Sequence, residues 1–159
     1  MSAVIRDVHP NVRAFLDMIA WSEIGTRLLQ HSDDGYNVLV GGSKFDGYND
    51  HPRKIVDLGN GLRSSAAGRY QILSRYWDHY RIQLQLPDFG PLSQDRYAVQ
   101  QLKEQGALGL IEAGLFDDAV EKVANIWASL PGAGYGQHEN KMASLRDAYL
   151  AAGGKLAED

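Results

Sequence analysis

The chain has 159 residues, 44% of them hydrophobic and 23% charged, which fits one globular domain with room for a core. Its net charge of −4 and the lack of any basic run argue against nucleic acid as a partner, because phosphate binding needs a basic footprint. Cysteine is absent, so disulfides, thiolate catalysis and zinc–thiolate sites are excluded. The histidines at 9, 31, 51, 79 and 138 are widely spaced, and nothing in that spacing points to a metal or another cofactor. No apolar run approaches the roughly 20 residues of a membrane span, and the first residues lack a signal-peptide core. The expectation is a chain made in the cytoplasm, without stable membrane association.

Residues 1–10 read as an arm. Val12 to Glu23 then reads as an amphipathic helix. Val12, Phe15, Leu16, Ile19 and Ala20 fall on one face of a 3.6-residue period. Pro10 suits a first turn, and Gly25 is a stop signal. The apolar stripe continues onto Glu23, i+4 from Ile19. Ile24 to Gly35 reads as irregular. Tyr36–Val40 is a strand candidate ended by Gly41-Gly42, and Ser43–Phe45 a possible return strand. Residues 36–63 form the predicted small β-lobe.

Ser64–Ile72 has too many small residues for a strand core. Ser74 reads as the N-cap of a helix through Tyr80 and Leu84. Ser93 reads as the cap of another helix over 94–105, and a short one covers 107–113. Phe116 to Ser129 has the cleanest periodicity, with Ala119, Val120, Val123, Ala124 and Trp127 in phase, and is predicted to be the central core helix. Residues 131–136 read as an open Gly-rich loop, and 139–152 as the last helix. Trp21, Trp77 and Trp127 all sit on predicted helices and read as core. The pattern is α+β with segregated parts, and a cleft between lobes is a natural ligand site.

Glu23 is the chemistry-bearing residue of this pattern. Burial and the negative end of the helix dipole both disfavour its charged form. A carboxyl group kept protonated near neutrality suits a general acid. The plainer reading is a frayed helix end with a solvated glutamate. Protonation of a glycosidic oxygen is the reaction such an acid suggests. Hydrolysis usually needs a second carboxylate; Asp33, Asp34, Asp46 and Asp50 are candidates, and each also reads as an ordinary turn aspartate. Two loops, Gly68-Arg69-Tyr70-Gln71 and Gly132–Gly136 followed by Gln137, combine aromatics, amides and glycines, as sugar contacts do. Tyr70 and Tyr135 could equally be packing residues. The Gly-rich run lacks the flanking residues of a phosphate loop.

Several blocks resemble the lambda-type phage endolysins, lytic transglycosylases of the lysozyme-like superfamily. They are Ala14–Glu23, Gly35-Tyr36, Val40–Gly42 with Phe45, Asp50–Lys54, Ala67–Arg75, Leu86–Phe89 and Asn125–Gln137. The resemblance runs in order from about Val12 to Gly154. It implies a lysozyme-like fold over 1–159: a mostly helical domain, a small antiparallel β-lobe and a cleft between them. It implies cleavage of the MurNAc-β-1,4-GlcNAc bond of peptidoglycan, with the muramic C6 hydroxyl closing on C1. The catalytic glutamate falls on Glu23. Tyr36, Tyr70, Gln71, Tyr135 and Gln137 are the expected substrate contacts. The implied setting is host lysis by a monomer that reaches the periplasm after holin-type release, binding glycan strands and needing no cofactor. One departure stands out: Ile24 intervenes before Gly25-Thr26, and Thr26–Asp34 matches the family pattern poorly. A hydrolytic muramidase and a non-catalytic wall-binding module stay open as alternatives.

Overall fold

A computed structural model describes residues 2–136 and 138–158. The first helix, α1 (Pro10–Ile24), starts with Pro10 in its first turn, and the His9 ring nitrogen accepts the Asn11 N–H at 3.0 Å. It ends where Gly25 takes φ +88°, and the Gly25 N–H closes on the Trp21 carbonyl at 2.9 Å. Val12, Phe15, Leu16, Ile19 and Ala20 are fully buried, as the stripe predicts, and Met18, outside the stripe, is buried as well.

Thr26–Gln30 forms a short helix, α2, where an irregular segment was expected. Its anchor is the buried side chain of Leu29. The later helices are α3 (Ser74–Gln83), α4 (Pro91–Glu104), α5 (Leu108–Glu112), α6 (Phe116–Val123) and α7 (Met142–Ala151). The start of α4 differs from the sequence reading. Pro91 opens the helix, and Ser93 lies inside it, donating to Asp88 at 3.0 Å. Ser74 likewise is the first helical residue and not the cap.

The helix predicted over 116–129 stops at Val123 and is not the centre of the fold. Beyond it the backbone tightens into i→i+3 bonds, with Ile126 N–H on Val123 and Leu130 N–H on Trp127. That tightening keeps Trp127 buried and lets its indole N–H reach the Tyr70 carbonyl at 2.9 Å. The centre is α1, which packs against α2, α4, α5 and α7.

The β-lobe also differs in detail. Its only regular ladder among the described residues is the antiparallel pair β1 (Val56–Asp57) and β2 (Arg63–Ser64), with Val56 opposite Ser64. The Tyr36–Val40 candidate makes isolated bridges, Val38 to Lys44 and Leu39 to Ala67. The turn at Gly41-Gly42 on one side and the tight 67–72 turn on the other leave no room for a longer ladder.

The N-terminal arm is clamped onto the helices. Val4 and Ile5 N–H groups donate to one oxygen of buried Asp95 at 2.8 and 3.0 Å. The hydroxyls of Tyr36 and Tyr70 donate to its other oxygen at 2.8 and 2.5 Å. Four donors satisfy a carboxylate that would otherwise be costly to bury.

Candidate active site

Glu23 lies in the last turn of α1 and faces a cleft of about 580 Å³ between the helices and the β-lobe. The opposing walls carry Gln71, Leu58 and Leu62 on one side and Ser129 and Tyr135 on the other. The Ser129 hydroxyl donates to Oε2 of Glu23. Behind it, the Ser22 and Ser129 hydroxyl oxygens are 2.7 Å apart, and the Asn140 amide donates to Ser22 Oγ at 2.9 Å. An amide N–H can only donate. Ser129 spends its single hydrogen on Glu23 and so accepts from Ser22, and the chain runs from Asn140 to Ser22 to Ser129 to Glu23.

That direction decides what Glu23 can do. Oε2 accepts from Ser129, so a carboxyl proton belongs on Oε1. Burial raises the Glu23 carboxyl above the ordinary glutamate range, and the hydroxyl and backbone N–H of Ser129 pull it down only in part. The result is an oriented acid that holds its proton more firmly than a solvated glutamate.

Among the described residues, Glu23 is the single carboxylate in the cleft wall. The other four candidates lie outside the cleft wall. Asp34 pairs with buried Arg69 at 3.5 Å, and Asp50 with Arg53 at 3.0 Å. Asp33 accepts the Tyr48 hydroxyl at 2.8 Å, and Asp46 is exposed outside the cleft.

The expected sugar contacts divide. Tyr36 and Tyr70 are 3% and 1% exposed, and their hydroxyls are engaged by Asp95, so neither reaches the cleft. The correction follows from packing: the Gly68–Gln71 turn points the Tyr70 ring inward and leaves Gln71 outside. Gly68, at φ +85°, sits where any Cβ would collide with the Gln94 amide. Buried Gln94 braces this turn, accepting the Arg69 N–H at 2.9 Å and donating to the Tyr36 and Phe89 carbonyls. Gln71 takes φ +51°, uncommon for a side-chain-bearing residue. Its amide donates back to the Gly68 carbonyl at 2.9 Å, which holds that geometry.

Tyr135 is half exposed in the cleft wall, its hydroxyl donating to the Asn125 carbonyl at 2.6 Å. The Glu139 carboxylate accepts the N–H groups of Gly132 and Gly134 and shapes this loop. Gln137 lies outside the described residues. Sequence reasoning passed over Ser22, Ser129 and Asn140. Ser22 adjoins Glu23, but no spacing signal joins it to residues more than 100 positions away.

A sequence model of the family described as Endolysin matches residues 13–156. The endolysin of Escherichia phage lambda is 52% identical over 153 residues, covering 96% of this chain and 97% of that protein. The chain belongs to the endolysin family. The endolysin of Escherichia phage P2 is 46% identical, covering 93% of this chain and 96% of its own. Among solved structures, bacteriophage lambda lysozyme complexed with a chitohexasaccharide superposes with a TM-score of 0.92 at 51% identity, over 96% of this chain and 99% of that one. A second structure of the lambda lysozyme gives 0.86 at 50% identity, with the same coverage. This member of the endolysin family therefore has the lysozyme-like fold, mostly helical with a two-stranded antiparallel sheet.

Proposed function

We propose that the chain is a phage endolysin that cleaves the glycan strands of peptidoglycan as a lytic transglycosylase. Membership of the endolysin family supports the wall as target, and a relative solved with a chitohexasaccharide supports an N-acetylhexosamine glycan in the cleft. The observation that carries the transglycosylase reading is the lone carboxylate. A hydrolase of the usual kind has two, one on each side of the scissile bond.

Glu23 acts twice. Its Oε1 proton passes to the bridging oxygen between MurNAc and GlcNAc as the C1–O bond breaks. The resulting carboxylate then takes the C6 hydroxyl proton while that oxygen bonds to C1. The product is a 1,6-anhydro muramyl end and a free 4-hydroxyl, with no water consumed. The Ser129 hydroxyl steadies the carboxylate between the two steps. Tyr135 and Gln71 orient the sugars. In this reading the enzyme works as a monomer, is made in the host cytoplasm and meets the wall after holin-type release.

Mass spectrometry of fragments released from purified peptidoglycan tests this. Muropeptides lighter by one water and resistant to borohydride are expected. Reducible muramic ends would mean hydrolysis. Intact binding without any soluble fragments would mean a wall-binding module.

A further inference from the structure

A second cavity, of about 480 Å³, adjoins the cleft. The two share Arg63, Ser64, Leu73 and Arg75, and the second continues past Ser65 and Ser74. Its character is cationic, although the chain as a whole has a net charge of −4.

Four of the molecule's eight other arginines are held by acidic partners. Arg53, Arg69, Arg96 and Arg146 each have a carboxylate within 4 Å. Among the described residues, Arg63 and Arg75 have none, yet both border the same cavity. Arg75 lies against the Tyr76 ring, 5.0 Å from its centroid, which restricts where its guanidinium can go. Arg63 and Arg75 bring two unpaired positive charges to one cavity wall, and an anion bound there offsets their mutual repulsion. The guanidinium fork matches a carboxylate in shape as well as charge.

Hydroxyls complete the lining. Ser65 accepts the N–H of Ser74 at 3.0 Å and its hydroxyl at 3.1 Å, which leaves the Ser65 hydrogen available to a ligand. Among the described residues, no Asp or Glu belongs to this cavity's wall.

A neutral N-acetylhexosamine chain offers these arginines hydroxyl and carbonyl acceptors but no negative charge. A muramyl residue differs in its lactyl arm, which ends in a carboxyl group or carries a peptide with carboxylates of its own. We propose that the Arg63–Arg75 cavity is a carboxylate subsite that reads the lactyl arm of a muramyl residue held in the cleft. This rests on the peptidoglycan reading above. It makes the enzyme select substituted wall glycan over chitin-like polymer by charge.

The test uses the full chain with Arg63→Gln, Arg75→Gln and both together, each in a Glu23→Gln background so that binding is measured without turnover. Three ligands are compared by calorimetry: peptide-bearing glycan strands, amidase-stripped strands with free lactyl carboxylates, and chitohexaose. The double variant is expected to bind at least one anionic strand about tenfold more weakly, with much less change for chitohexaose. Added salt should weaken the parent's binding to that strand more than the variant's. Arg→Lys at both positions should recover part of the affinity. A loss confined to peptide-bearing strands assigns the ligand to a stem carboxylate; a loss on stripped strands assigns it to the lactyl group. An equal loss on chitohexaose, or no loss on either anionic strand, overturns the subsite. Failure of the chain with intact Glu23 to cleave peptide-bearing strands would instead overturn the peptidoglycan reading, whatever the arginine variants do.

Discussion

The hydroxyl of Ser129 donates to Oε2 of Glu23 across 106 positions of sequence. This contact couples the last turn of α1 to the segment after α6, and Ser22 and Asn140 extend it behind the cleft wall.

Ser129→Ala should lower kcat about tenfold, the loss of roughly one charge-assisted hydrogen bond. It should also change the pH profile. The Ser129 bond favours the carboxylate form, so its removal raises the Glu23 carboxyl further, and the alkaline limb of kcat/KM should move to higher pH. Ser129→Thr, which keeps the hydroxyl, should restore much of both. A rate loss with an unmoved alkaline limb would mean that the serine only packs.

Glu23→Gln should abolish lysis while making the fold more stable at neutral pH. Burial raises the folded carboxyl above its unfolded value. The folded state therefore holds its proton where the unfolded chain has lost it, and stability falls as pH rises from about 4.3 through the folded value. A neutral amide avoids that cost. A gain of about 1 kcal/mol in urea unfolding at pH 7 is expected, shrinking toward zero below pH 4. Activity within tenfold of the parent would refute the catalytic role.

His51 should make the fold weaken in mild acid. Its Nε2 lies 2.8 Å from the Ile72 carbonyl oxygen, so that nitrogen carries the hydrogen, while Nδ1 accepts the Arg53 N–H at 2.9 Å. A proton added to Nδ1 would face that N–H. Burial is the main cause that lowers the folded pKa. The unfolded chain therefore binds the proton first, and stability is lost as pH drops below about 6.5, by up to ~1.4 kcal/mol per unit. His51→Gln can still donate to Ile72 and should flatten the slope between pH 7 and 5. Denaturant midpoints across that range measure it.

Tyr70 and Tyr135 should behave oppositely. Tyr70→Phe removes a hydroxyl that accepts from Arg69 at 2.9 Å and donates to Asp95. It should cost about 1–3 kcal/mol of stability with KM unchanged. Tyr135→Ala removes an exposed cleft-wall ring and should raise KM several-fold with little loss of stability. Parallel urea titrations and KM values separate the two.

Much of this was legible in the chain. The 3.6-residue stripe through Val12, Phe15, Leu16 and Ile19 placed α1 and set Glu23 on its inner side, since helical phase is a local property. The endolysin resemblance placed Tyr135 and Gln71 in the cleft, and both line it. Local pattern misled in several places, two of which bear on the site. The periodicity of Phe116–Trp127 ran past the true helix end, because a burial pattern records which side chains are inside and not how the backbone delivers them. The tyrosines at 36 and 70 carried a sugar-contact signal that a buried carboxylate, Asp95, also satisfies.

The sequence by itself determined the helical frame, the candidate acid and the absence of thiol chemistry, because each follows from residue identity and short-range periodicity. Only the tertiary structure decided which partners Glu23 has and which carboxylates it lacks. It also decided that Arg63 and Arg75 share a cavity. Those facts depend on side chains brought together from distant parts of the chain, where directional hydrogen bonds and unpaired charge act over a few ångströms and leave no regular spacing along the sequence.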